Sequence, residues 1–182
     1  MSSCVVLSHS RYERSVANRR LHEAILDLPD VEVRMLEALY PDDRIDVPAE
    51  QAAAERARRI VLQFPLSWYA TPPLLKRWQD EVLAFGWSYG PGGTRLHGKT
   101  MQVVVTVGGE EASYSADGYN LYPLQDLLRP LEVTARFMGM RFAEPLALYG
   151  VPNIPGLDVP LDDARVAAFA RRYREILSAP VE

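Results

Sequence analysis

A doubly wound α/β sheet is the fold class this sequence predicts, on three observations. Short apolar runs recur along the whole chain, and segments of helical period separate them. The run Met101 to Val107 is nearly continuously apolar, as a central parallel strand covered on both faces must be.

Each element follows in order. The strands are read as Cys4 to Ser8, Val31 to Leu36, Ile60 to Gln63, Met101 to Val107 and Leu146 to Tyr149. Between the first two, Leu21, Ala24, Ile25 and Leu28 fall at helical spacing behind Ser15, which can cap the helix. A second helix is expected over Ala49 to Arg58. For the third, Thr71 can cap, Pro72 and Pro73 suit a first turn, and Leu74, Leu75, Trp78 and Val82 line one side. Pro123 to Met138 reads as helical, with Pro130 kinking it or marking its real start. Last, Val166, Phe169, Ala170, Tyr173 and Leu177 form one stripe behind Asp162 and Asp163. Five strands joined by right-handed crossovers give the order 2-1-3-4-5 of a flavodoxin-like three-layer sandwich. Its winding reverses between strands one and three, where a ligand crevice is expected.

Composition narrows the class. A chain of 182 residues suits one domain, and 48% hydrophobic with 24% charged residues is the balance of a folded globular protein. A net charge of -4 with scattered arginines gives no general attraction to nucleic acid. Cys4 alone cannot form an internal disulfide or a cysteine-clustered metal site, so no metal is expected, and its apolar setting suits a buried thiol. No signal segment or membrane span is read, which makes the cytoplasm the expected location. The stretch Val151 to Pro160 reads as a long surface connection.

Three segments carry chemistry. The polar loop Ser8 to Asn18 leaves strand one and enters a helix, offering backbone N–H groups, hydroxyls and a helix dipole to a phosphate; equally, Ser15 is a plain cap. The loop Gln63 to Pro73 mixes Trp68 and Tyr69 with a rigid proline, which suits a flat ring at the switch point better than an aromatic core plug. In Thr106-Val107-Gly108-Gly109, followed by Tyr114, paired glycines permit close backbone approach, and their N–H groups can stabilise negative charge; the alternative is a simple turn.

The string Gln63-Phe64-Pro65-Leu66-Ser67-Trp68-Tyr69, with Pro72, Leu75-Lys76 and Trp78, resembles the flavodoxin-like NAD(P)H:quinone oxidoreductases. Ser15 to Asn18, Tyr40-Pro41-Asp42, Ile45-Asp46, Gly90 to Gly93 and Leu128-Arg129-Pro130 are still more similar to the ancillary proteins of bacterial glutathione-regulated potassium-efflux systems. The resemblance implies an FMN enzyme, with FAD possible, that takes hydride from NADPH or NADH and passes it to a quinone by a ping-pong scheme.

It also implies roles for residues. His9, Ser15, Val16, Ala17 and Asn18 would bind the flavin phosphate and ribityl chain. Pro65, Leu66, Ser67, Trp68 and Tyr69 would contact the ring, and Thr106, Val107, Gly108, Gly109 and Tyr114 would close over its pyrimidine side. Tyr114 would orient and hydrogen-bond, with the Gly108 and Gly109 N–H groups stabilising the reduced ring. A homodimer is implied, in which Tyr89 or Trp87 reaches the partner's flavin. Where the animal enzymes carry a histidine, this chain has Tyr119 and Asn120, which would face substrate without a histidine proton relay. His22, on the polar side of its helix, and His97 offer no substitute. The resemblance leaves two other readings: a regulatory subunit docked on a potassium-efflux antiporter at the inner membrane face, and a one-electron carrier.

Overall fold

The computed structural model describes residues 3–151 and 160–180. Its elements are β1 (Ser3–Leu7), α1 (Val16–Glu23), β2 (Val31–Met35), α2 (Leu36–Leu39), α3 (Val47–Arg56), β3 (Arg59–Pro65), α4 (Pro73–Val82), β4 (Thr100–Thr106), α5 (Leu124–Leu127), α6 (Arg129–Phe137), β5 (Arg141–Phe142), β6 (Leu146–Leu148) and α7 (Asp163–Ser178). All described strand pairings are parallel, in the order β2-β1-β3-β4-β5, with β6 also on β4. The 2-1-3-4-5 order predicted from the sequence is therefore the one observed.

The fifth position differs from the single strand expected. β5 pairs with Thr100 and Met101, while β6 pairs with Val104, Val105 and Thr106. Between them lies Pro145, which has no N–H for the ladder. The Gln102 side chain bridges the gap by donating to the Glu144 carbonyl at 2.8 Å.

Side-chain alternation divides the interior into two layers. Cys4, Val6, Ile60, Leu62, Phe64, Met101, Val103 and Val105 pack on one face with α3, α4 and α6. Val5, Leu7, Val61 and Val104 face α1 and α7 through Leu21, Ile25, Tyr173 and Leu177. Buried apolar residues on both faces explain why β4 reads as a nearly continuous apolar run.

Helix boundaries follow local chemistry. Ser15 caps α1 by accepting from the Asn18 N–H at 3.2 Å, and Asp162 caps α7 through the Arg165 N–H at 3.0 Å. α1 ends at Glu23, short of Leu28. α3 starts earlier than expected because Asp46 accepts from the Ala49 N–H, with Pro48 in the first turn. Thr71 does not cap α4: the cap position is Pro72, and the first turn relies on Pro73, which has no N–H to satisfy. Pro130 sits in the first turn of α6, so the segment Pro123 to Met138 is two helices meeting at Leu128. In the connection read over Val151 to Pro160, residues 152–159 lie outside the described residues. No helix among the described residues is long and apolar enough to cross a membrane.

Cys4 is 1% exposed, and burial, reinforced by Glu32 and Glu50, pushes its thiol up to about 12. The thiolate is the reactive form. The native protein will therefore leave iodoacetamide unconsumed at about pH 8 and react once denatured in urea. Fast labelling of the native protein would contradict this burial.

Candidate functional site

Because every strand runs the same way, the segments after β1, β3 and β4 leave from one edge of the sheet. α1 lies on one face and α4 on the other, so the segments after the neighbouring strands β1 and β3 part at the switch point. The sequence-predicted residues His9, Ser15 to Asn18, Pro65 to Tyr69, and Thr106 to Tyr114 all belong to this edge.

The first wall is the start of α1. His9 Nδ1 accepts the Arg11 N–H at 3.1 Å, which leaves Nε2 to carry the proton and donate. Burial lowers the His9 pKa against the opposing pull of Glu37, so the ring is a neutral donor at pH 7. Ser8 donates to Glu37 at 2.7 Å, while Glu37 Oε2 is buried with no partner among the described residues. Ala17 and Asn18 are buried and Val16 is exposed. Asn18 Nδ2 donates to Thr106 Oγ1 at 2.9 Å, but its Oδ1 is buried with no hydrogen-bond partner among the described residues. An orphaned acceptor at an anion-ready helix start calls for a ligand hydroxyl.

His22 is not on a free polar face. It is half-buried, and its Nδ1 lies 2.7 Å from the Tyr12 hydroxyl, tying α1 to the loop that precedes it.

The second wall is an aromatic turn. Ser67 and Ala70 exchange backbone hydrogen bonds of 2.9 and 3.0 Å around Trp68 and Tyr69, whose φ angles are +46° and +63°. Positive φ at both central residues is the two-residue hairpin geometry normally filled by Asn-Gly. Bulky residues in that conformation are strained, and such strain concentrates at ligand sites. Trp68 is 92% exposed, so packing against the rest of the chain does not explain its placement. Pro65 ends β3, and the Leu66 N–H donates to the Thr106 carbonyl at 2.9 Å, holding the turn beside β4.

The third wall is the segment after β4. Gly109 allows close packing: a Cβ there would lie 2.7 Å from Ser113 Oγ and 3.2 Å from the Tyr114 ring. Val107 is buried and Gly108 is exposed at the edge. Tyr114 stacks at an angle on Tyr149, with ring centres 5.8 Å apart, and its hydroxyl has no hydrogen-bond partner among the described residues. Burial, then Tyr69, raises its pKa, so it is a neutral donor at pH 7. Arg165 clamps this segment by bonding both Glu110 and the Tyr149 carbonyl.

One contact joins two walls. The Tyr69 hydroxyl donates to Asn120 Oδ1 at 3.1 Å, and Asn120 Nδ2 donates to Ser113 at 2.9 Å. Asn120 is therefore a bridge between walls, a role residue type alone did not reveal. Tyr119 beside it is 89% exposed. An apolar groove of about 200 Å³ opens next to Tyr69, between α4 and α6, lined in part by Leu66, Thr71, Leu127, Leu131 and Thr134.

Trp87 and Tyr89 are not brought to this site. They lie in the connection entering β4, at the opposite edge of the sheet. Tyr89 packs on Phe85 and Phe137, and Trp87 Nε1 donates to Glu55 at 2.7 Å.

Known proteins share this architecture. The chain is 41% identical over 173 residues to the Bacillus subtilis protein named uncharacterized NAD(P)H oxidoreductase YdeQ, covering 95% of this chain and 84% of that protein. It is 40% identical over 173 residues to the glutathione-regulated potassium-efflux system ancillary protein KefF of Klebsiella aerogenes, covering 95% and 93%. General stress protein 14 of Treponema denticola, solved in complex with FMN, superposes with a TM-score of 0.88 at 33% identity, over 97% of this chain and 98% of that one. An NADPH-quinone reductase from P.pentosaceus gives 0.86 at 25% identity, over 98% of each chain. The profile of the flavodoxin-like fold family matches residues 1–177. On strand order, site layout and these likenesses together, the chain belongs to the flavodoxin-like fold family that includes the NAD(P)H oxidoreductases and the potassium-efflux ancillary proteins.

Proposed function

We propose that this protein is an FMN-dependent NAD(P)H:quinone oxidoreductase. The observation that carries the reading is the meeting, at one edge of the sheet, of a helix start equipped for a phosphate and a strained aromatic turn with an exposed Trp68. FMN is preferred to FAD because the Treponema denticola relative was solved with FMN. Bound FMN supplies the hydride acceptor and donor for two alternating half-reactions with NAD(P)H and quinone.

The protein's own residues bind and orient. The His9 Nε2–H and the free N–H groups and dipole of α1 meet the phosphate, and Asn18 Oδ1 accepts a ribityl hydroxyl. Ser15 serves as the cap that holds Asn18 in place. Pro65 to Tyr69 grip one edge of the ring. The Gly108 and Gly109 N–H groups and the Tyr114 hydroxyl act at the pyrimidine edge, where negative charge is stabilised.

The site is read as lying at a homodimer interface. Trp87 and Tyr89 lie at the opposite edge of the sheet from their own chain's site, so the role proposed for them is one they would take only across a two-fold partner. Phe85, Val133 and Phe137 leave large apolar side chains exposed, as a covered face would.

The test is optical. Purified protein will release FMN on denaturation; anaerobic NADPH will bleach the bound flavin, and a benzoquinone will restore its colour. If flavin is bound but both colour changes fail, the second reading takes over. That reading, favoured by the KefF likeness, is a subunit docked on a potassium-efflux antiporter.

A further inference from the structure

We propose that Gln63 and Tyr173, which lie outside the three walls of the site, are positioning residues that hold Asn18 where it meets the flavin; this rests on the flavin reading above. Gln63 is on β3, and alternation turns it with Val61 toward the layer of α1 and α7. Its neighbours on that face are apolar, yet it places a whole carboxamide in the interior with 0% exposure.

Both ends of that carboxamide are used. Tyr173, fully buried on α7, donates its hydroxyl to Gln63 Oε1 at 3.2 Å. Gln63 Nε2 in turn donates to the Asn18 carbonyl, also at 3.2 Å. Asn18 continues the chain through Nδ2 to Thr106 Oγ1. By way of the Asn18 main-chain carbonyl, the buried polar residues Tyr173, Gln63, Asn18 and Thr106 thus connect α7, β3, α1 and β4 in one line, and the line ends beside Asn18 Oδ1, an acceptor with no partner among the described residues.

Stability alone does not call for this arrangement. A buried polar pair replaced on both sides by apolar groups of the same shape leaves a fold unchanged or strengthens it. What the pair does accomplish is directional. Tyr173 occupies the Gln63 oxygen, which leaves the Gln63 N–H₂ to pull the first turn of α1 onto the sheet. That fixes Asn18 against Thr106 and aims the pocket's orphan acceptor at a ligand hydroxyl, so the ordering is complete before the ligand arrives.

Two variants separate positioning from support: Tyr173→Phe, and the double Gln63→Leu with Tyr173→Phe. Thermal midpoints of the apoproteins and FMN dissociation constants, from quenching of flavin fluorescence, are measured for each. The single variant leaves Gln63 Oε1 buried and unpaired, so its midpoint falls. The double variant removes Gln63 and the Tyr173 hydroxyl together and leaves only the Asn18 carbonyl without its side-chain donor, so its midpoint recovers most of the loss. FMN affinity is expected to be about tenfold weaker in both. Wild-type FMN affinity in the double variant, or affinity that recovers in step with the midpoint, overturns the proposal. A wild-type protein that binds no FMN overturns the flavin reading itself.

Discussion

Glu50→Ala will lower the free energy of unfolding by about 3–5 kcal/mol, the usual effect of removing one partner from a buried ion pair. The Glu50 side chain is wholly buried. Its Oε1 accepts from Arg34 Nε at 3.0 Å, Arg34 Nη2 at 2.7 Å and the Tyr40 hydroxyl at 2.6 Å, and its Oε2 accepts from Trp78 Nε1 at 2.9 Å. Removing the carboxylate leaves the Tyr40 phenol and the Trp78 indole N–H buried without that acceptor and leaves the partly buried Arg34 only its looser pairing with Glu32 at 3.6 Å. Partial burial works against the Arg34 charge, but its bonds to Glu50 outweigh that and raise its pKa; burial first, then Glu50, pushes Tyr40 up to about 12. The cluster ties β2 and α3 to α4, the helix that follows the aromatic turn. Urea unfolding of the wild type and the variant checks the prediction, and a loss under about 1 kcal/mol would mean that water replaces the missing acceptor. Replacing Arg34, Tyr40 and Glu50 together by Met, Phe and Leu should recover part of the loss, because of the cluster's polar groups only the Trp78 indole N–H is then left buried without its acceptor.

Nothing in the sequence marks Glu50. It occupies a helix position where a glutamate is normally solvated, and its partners are 16, 10 and 28 residues away. The one available hint was Trp78, placed correctly on the buried side of its helix, since an indole in the core needs an acceptor for its N–H. The same limit applies across the molecule. Strand order, the capping role of Ser15, the acidic start of the last helix at Asp162 and Asp163 and the buried thiol of Cys4 were legible, because period, capping chemistry, helix-end charge and apolar context are local. The split of the fifth strand turns on Gln102 reaching across to Glu144, the use of Asn120 as a bridge turns on Tyr69, and the buried line from Tyr173 crosses 110 residues to Gln63. Those features arise from tertiary neighbours. At the site, the residue types and the three segments were readable, while the strain in the aromatic turn was not, because Trp-Tyr has no propensity for a left-handed backbone.

That strain yields a second large effect, of opposite sign for stability and for binding. Trp68→Asn with Tyr69→Gly puts into the turn the dipeptide that its geometry favours, in a hairpin already closed by the Ser67 and Ala70 bonds. A left-handed conformation costs about 1–2 kcal/mol for each ordinary residue, and Gly adopts it freely. Trp68 surrenders almost no packing, and Tyr69 surrenders its bond to Asn120. The apoprotein should therefore gain about 1–2 kcal/mol in urea unfolding. FMN affinity should fall by about two orders of magnitude, because stacking on an aromatic side chain contributes about 1–3 kcal/mol and both rings are gone. Trp68→Phe, which keeps a stacking face, should bind within about tenfold of the wild type. A double variant that loses stability while keeping its flavin would mean that the turn is shaped by the fold and not by the ligand.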